Sequence, residues 1–101
     1  MMYKIELTSF AELDIQESIQ WYNDASNGLG NSFYKNIKST ISLIQRNPKY
    51  FPVRYKTIHT ALVKEFPFMI HYQINETNEA IIILGVIHTS RNPKIWDKRT
   101  D

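Results

Sequence analysis

The alternation of apolar and polar positions divides the chain into a strand, two helices and three further strands. Tyr3-Lys4-Ile5-Glu6-Leu7 alternates with period two and predicts a short half-buried strand. Ser9, with Glu12 three places on, has the spacing of a capping box, in which a hydroxyl and a carboxylate satisfy free amides at a helix start. Ala11, Ile15, Ile19 and Tyr22 then recur at steps of four and three, so a first helix runs to Asn23 or Ala25. Its polar face carries Glu12, Gln16, Gln20 and Asn23. Asn27-Gly28-Leu29-Gly30 reads as a turn, with two glycines available for positive φ. A second apolar stripe, Leu29, Phe33, Ile37, Ile41 and Ile44 with Thr40 between, predicts a helix of about four turns. It stops at Asn47-Pro48, because proline disfavours helical geometry in the residue before it. Two amphipathic helices on so short a link predict an antiparallel hairpin.

Beyond Tyr50 the texture changes. Phe51-Pro52-Val53-Arg54-Tyr55 reads as an irregular, aromatic and basic connection, and Ile58 to Glu65 has the composition of a strand. Phe66-Pro67 interrupts the ladder, since proline has no amide to donate. Phe68, Ile70, Tyr72 and Ile74 alternate with Met69, His71 and Gln73, which predicts a strand with one apolar and one mixed face. After the polar loop Asn75 to Glu79, the run Ala80 to Ile87 is apolar on both sides and belongs in the interior of the sheet. The order is β-α-α-β-β-β. This is an α+β, two-layer arrangement, with a helical hairpin packed on one face of a small, mainly antiparallel sheet.

A length of 101 residues fits a single domain over 1–101. Five Phe, six Tyr and two Trp within a 43% apolar composition supply a core and exclude a disordered chain, and the absence of cysteine excludes a disulfide scaffold. The longest apolar run is far short of the roughly 20 residues that span a bilayer. The first residues show no apolar signal region, so a cytoplasmic protein without a membrane partner is expected. The net charge of +2 conceals an uneven distribution. Residues 1–35 hold Lys4 and Lys35 against Glu6, Glu12, Asp14, Glu17 and Asp24, a net −3. Arg46, Lys49, Arg54, Lys56 and Lys64 stand in residues 46–64 without an acid, a net +5. Arg91, Lys94, Lys98 and Arg99 outweigh Asp97 in the last stretch, a net +3. Such asymmetry either forms a basic face for an anionic partner or is a solvated cationic surface.

No phosphate loop, dinucleotide fingerprint or metal-binding Cys/His spacing occurs, so no cofactor and no metal are expected. His59, His71 and His88 fall on three different predicted strands. Without an acidic residue at a ligand spacing they read as polar groups of the open sheet face, able to titrate near neutral pH, rather than as metal ligands. The most specific segment runs from His88 to Arg99. In one reading Arg91 and His88 grip a phosphate or carboxylate while Trp96 stacks on a base or fills a partner's pocket. In the other the segment is a clamp, with Trp96 on the core and Arg91 paired locally. Tyr22 lies on the first helix's apolar stripe. Trp21 lies off it and is expected to pack against the second helix rather than to form an exposed partner site.

Several short pieces, in order, carry a resemblance. They are Ala11 through Asp14-Ile15, Trp21-Tyr22, Leu29-Gly30 with Phe33, Asn47-Pro48, and Leu62 through Tyr72. The most distinctive is Val86-Ile87-His88-Thr89-Ser90-Arg91-Asn92-Pro93-Lys94-Ile95-Trp96. Together, over about Tyr3 to Arg99, they resemble the RelE/ParE superfamily of bacterial type II toxins, also called plasmid-stabilisation proteins. The resemblance implies a growth-inhibiting toxin and a partner antitoxin, short and acidic, encoded by the adjacent gene. RelE-like members cut mRNA on the ribosome without metal; ParE-like members inhibit DNA gyrase by binding.

RNA cleavage through the 2′-oxygen needs a base, an acid and a cation facing the phosphate. RelE-like nucleases tend to carry an arginine on the strand before a Tyr-Gln pair. Aligned on Tyr72-Gln73, this chain has Met69 there, and it has Thr89 where a second arginine is expected, with Arg91 close by. Losing such a cation costs roughly 2.7–4 kcal/mol of transition-state stabilisation. The resemblance therefore points nearer the ParE-like branch. Its binding residues for target or antitoxin would be Arg54, Lys56, Arg91, Lys94, Trp96, Lys98 and Arg99. A RelE-like ribosome-dependent nuclease is the alternative, using His71 or His88 as base and Arg91 or Lys64 at the phosphate. A degenerate, non-toxic relative that only binds an antitoxin is the third reading.

Overall fold

The computed structural model describes residues 2–91. The elements are β1 (Lys4–Leu7), α1 (Ser9–Ala25), α2 (Leu29–Arg46), β2 (Val53–Tyr55), β3 (Ile58–Leu62), β4 (Phe68–Asn75) and β5 (Ala80–His88). One five-stranded sheet has the order β1-β5-β4-β3-β2. β2 through β5 pair antiparallel in sequence order, and β1 lies parallel to β5. The α+β class, the hairpin on one face and the interior position of β5 agree with the hydropathy pattern. β2 is a strand where an irregular connection was expected. It spans three residues and pairs with a register shift between Val53 and Tyr55, so no alternation could announce it.

Helix boundaries follow local chemistry. Thr8, not Ser9, caps α1: its backbone is extended, and its side-chain oxygen accepts the Ala11 amide at 3.1 Å. Ser9 is therefore already helical and the expected box with Glu12 does not form. Of the two glycines in the α1–α2 turn, only Gly28 takes a positive φ, of 87°. Gly30 lies inside the first turn of α2, where an added Cβ would collide with the Ile19 carbonyl oxygen and the Asn23 side chain. Asn23 Oδ1 accepts the Gly30 amide at 2.8 Å, so a residue assigned to the polar face of α1 instead joins the two helices. α2 ends as expected, with the Asn47 amide donating to the Leu43 carbonyl at 3.0 Å.

The main core lies between the hairpin and one sheet face. Ala11, Ile15, Phe33, Ile37 and Ile44 from the helices meet Ile70, Tyr72, Ile81, Ile83 and Val86 from the strands. Phe33 is ringed by Phe68, Phe66 and Tyr22 at centroid distances of 5.0, 5.2 and 5.3 Å. The Tyr72 hydroxyl donates to the Pro48 carbonyl at 2.6 Å, tying the end of α2 to the sheet. Burial pushes the phenols of Tyr72 and Tyr22 above the ordinary tyrosine range.

The opposite face of β4, expected to be mixed, is buried. Met69 and His71 are only 7% and 1% exposed. Met69 and Ile87 form a second small cluster with Tyr55 packed against it. Between His71 and Tyr72 the pairing skips from Gly85 to Ile83, leaving Leu84 as the extra residue of a bulge. Among the described residues, no helix is long and apolar enough to cross a membrane.

Candidate functional site

β1 ends at Leu7 opposite Ile83, whereas β5 runs on to His88. Side chains from the start of α1 take over where β1 stops. Thr8 donates its hydroxyl to the Leu84 carbonyl at 3.3 Å, and Asp14 Oδ2 accepts the Val86 amide at 3.0 Å. α1 is thus held beside the second half of β5 at a distance set by side chains rather than by a backbone ladder. The result is a groove of about 660 Å³ between the two elements.

One wall belongs to α1. Phe10, Leu13 and Trp21 line it and are 52%, 53% and 66% exposed. Trp21 does not pack on α2 as expected. Its ring stands edge-on to Tyr22, 5.0 Å away, and otherwise faces the groove. Phe10, Asp14, Glu17 and Trp21 follow one another at steps of four, three and four, a second stripe beside the one that enters the core. That spacing was legible in the chain and is the signal by which this wall could have been found.

The floor and far wall come from Phe68, Val86, His88 and Arg91. The His88 ring lies edge-on to Phe68 at 5.2 Å. Its Nδ1 accepts from the Ser90 amide at 3.1 Å and the Ser90 hydroxyl at 2.8 Å, which places the neutral ring's proton on Nε2. The Arg91 amide donates to the His88 carbonyl at 3.0 Å, so the chain turns at the mouth of the groove. The groove is apolar along its floor, acidic along α1 through Asp14 and Glu17, and basic along the β5 side.

The other face of the sheet has different chemistry. Tyr55 reaches from β2 to His71 on β4, with its hydroxyl 3.0 Å from Nδ1. Arg54 places Nη1 3.5 Å from the Met69 sulfur. A guanidinium therefore stands over the position where the resemblance led one to look for a strand arginine. Tyr55 was missed by the sequence reading, because the contact crosses β3 and has no local spacing.

The residues proposed from sequence are divided by the sheet. His88 and Arg91 lie on the helix side, at the end of the sheet where Lys64 sits in the β3–β4 turn. The carbonyl of Pro67 in that turn accepts the Thr89 amide at 2.8 Å. His71 lies on the opposite face, beneath Tyr55. His59 is on the helix side, stacked on Tyr72 at 5.0 Å and donating Nδ1–H to the Phe51 carbonyl at 2.6 Å. Of the three histidines read as open-face groups, only His71 is on that face, and it is buried. Arg54 and Lys56 are exposed at the β2 edge and in the following turn, Lys56 with a positive φ of 48°. Lys94, Trp96, Lys98 and Arg99 lie outside the described residues. Among the described residues, no three His, Asp or Glu side chains gather as metal ligands.

Two helices packed on one face of a five-stranded mixed sheet match the fold of the RelE- and ParE-type toxins. The chain superposes on the chromosomal ParDE system from P. aeruginosa with a TM-score of 0.77, at 15% identity, covering 88% of this chain and 98% of that one. The isolated E. coli RelE toxin gives 0.68 at 11% identity, covering 97% of this chain and 95% of that one. The E. coli RelBE toxin–antitoxin complex gives 0.68 at 12% identity, covering 88% and 99%. At these identities the likeness establishes the fold. No curated protein matches the chain by sequence. The family model described as "ParE toxin of type II toxin-antitoxin system, parDE" matches residues 5–93. The chain belongs to that family and is the toxin component of a type II toxin–antitoxin system.

Proposed function

We propose that this toxin acts by binding rather than by chemistry, inhibiting DNA gyrase in the ParE manner, and that a short acidic antitoxin from the adjacent gene neutralises it. One observation carries the choice of binding over cleavage. The groups available for RNA cleavage are split between the two faces of the sheet, with His71 buried under Tyr55 and His88 and Arg91 beside α1. A base and a phosphate-binding cation must face the same phosphate, and His88 and Arg91 do so only within a groove that Asp14 and Glu17 also line, whose carboxylates repel an RNA backbone. An apolar groove with exposed aromatic walls is, in contrast, suited to protein recognition.

The deciding assay is supercoiling by gyrase with purified toxin. Inhibition that saturates with toxin concentration is expected; normal supercoiling at saturating toxin overturns the reading. Primer extension on translated mRNA covers the nuclease alternative: codon-aligned cuts that disappear in His88→Ala would replace gyrase by the ribosome. Growth arrest on induced expression distinguishes an active toxin from a non-toxic relative. For the antitoxin, Arg54→Glu and Arg91→Glu should each weaken binding and flatten its salt dependence, because an acidic segment is drawn to these exposed cations. Unchanged affinity in both variants would remove this surface from the antitoxin contact.

A further inference from the structure

The outer face of α2 has a composition that the fold does not require. Opposite the buried stripe of Phe33, Ile37, Thr40 and Ile44, the positions Asn31, Lys35, Lys38, Ser42 and Arg46 recur at steps of three and four, and all are exposed. The helix carries no acidic residue, and none occurs in the chain between Asp24 and Glu65. Among the described residues, neither Lys35, Lys38 nor Arg46 is ion-paired. Lys38 and Arg46 are nonetheless held in place by the helix itself. Lys38 sets its ammonium 4.7 Å from the centre of the Tyr34 ring, and Arg46 donates Nε–H to the Ser42 carbonyl at 3.4 Å. Each contact reaches back one turn, so the two charges keep the spacing of their positions, about 12 Å at the helical rise. Cations ordered in advance lose less side-chain entropy when they meet an anion. Glu12, Asp14, Glu17 and Asp24 lie on α1, so the positive field is one-sided.

The face also selects among anionic partners. The exposed apolar side chains of α2, Tyr34 and Leu43, stand on the flanks of the stripe, and the side chains among the cations are Asn31, Ser39 and Ser42. An acidic peptide or a membrane surface would need an apolar anchor among the charges. Single-stranded nucleic acid would need open aromatic rings for its bases, and the Tyr34 ring is covered by Lys38. A duplex needs only cations and small hydrogen-bonding side chains at its phosphate oxygens. The spacing of about 12 Å from Lys38 to Arg46 matches the width of the B-DNA major groove, whereas that groove is narrow in duplex RNA. We propose that the outer face of α2 docks on the phosphate backbone of duplex DNA without reading its sequence, with Lys35 and Lys38 at one edge of the major groove and Arg46 at the other. This goes beyond the gyrase reading and uses no step of it.

The test is fluorescence anisotropy of the purified full chain on a labelled DNA duplex of arbitrary sequence, over a series of salt concentrations. Three phosphate contacts should give a slope of about −2.7 for log affinity against log salt. Lys38→Gln and Arg46→Gln should each take about 0.9 off that slope and weaken binding about tenfold at low salt. The triple variant with Lys35→Gln as well should lose binding. Lys4→Gln removes the same charge from β1 and should change the affinity less than about twofold. All four side chains are exposed, and circular dichroism confirms that each variant is folded. Absence of binding at low salt overturns the proposal, as does an equal loss in Lys4→Gln and Lys38→Gln. Tighter binding to the separated single strand, or to duplex RNA of the same sequence, overturns the choice of DNA. Displacement by a poly-glutamate peptide as readily as by unlabelled duplex assigns the face to an acidic protein instead. Gyrase is absent from the measurement. DNA binding with normal supercoiling therefore rejects only the gyrase reading, and inhibited supercoiling without DNA binding rejects only this face.

Discussion

α1 and α2 are nearly equal in length, 17 and 18 residues, yet they distribute their side chains differently. α2 sends one stripe inward: Phe33, Ile37, Thr40 and Ile44 are all buried. α1 buries only Ala11 and Ile15 and holds a second apolar set, Phe10, Leu13 and Trp21, outside the core. The first is an anchor. The second is an anchor on one side and leaves an exposed apolar wall on the other.

That contrast makes its strongest demand at Phe33. Fully buried and ringed by three aromatic side chains, it should cost about 3–5 kcal/mol on truncation to alanine, read as a lower denaturant midpoint at unchanged slope. A loss under about 1 kcal/mol would mean that α2 is not the anchor. Next comes the close approach of the helices. Gly30→Ala should cost about 1–3 kcal/mol, because the methyl meets the fixed Ile19 carbonyl oxygen rather than a side chain that can swing away.

Tyr72→Phe should cost about 1 kcal/mol near neutral pH by removing the hydrogen bond to Pro48. Its pH dependence is the sharper test. Burial holds the folded phenol above its unfolded value, so the native state keeps a proton that the unfolded chain releases near pH ~10. Stability from this group is complete below that value and falls as pH rises through it. Denaturant melts at increasing alkaline pH should show a shallower fall in Tyr72→Phe than in wild type. The smallest effect belongs to α1: Trp21→Ala should change stability by no more than about 0.5 kcal/mol, because the side chain stands outside the core. A loss above about 2 kcal/mol would place Trp21 in the core and dissolve the distinction between the helices.

Much of the architecture was legible because it depends on short-range periodicity. The stripes of both helices, the stop at Asn47-Pro48, the alternation of β4 and the two-sided apolar run of β5 are each properties of neighbouring residues. Misreadings arose where a side chain's partner is remote or the element is short. Thr8 displaces Ser9 as cap because its hydroxyl also reaches Leu84, 76 positions away. β2, only three residues long, exists through pairing with β3. Trp21 was read by its absence from the core stripe, but its place depended on whether α2 lay beside it. In the candidate site, His88 and Arg91 stood out in a distinctive segment, whereas Glu17 was seen only as part of an acidic first third and Asp14 there and in the family resemblance.

The chain's own pattern of residues settled both helices, the longer strands, the two-layer class and the family, since these follow from local periodicity and from motifs in a fixed order. The tertiary structure decided where β1 stops against β5, which places α1 beside a bare strand and opens the groove. It also decided that His71 lies on the face opposite His88 and Arg91. Both outcomes turn on pairing and packing between residues far apart in the chain, and no local spacing encodes them.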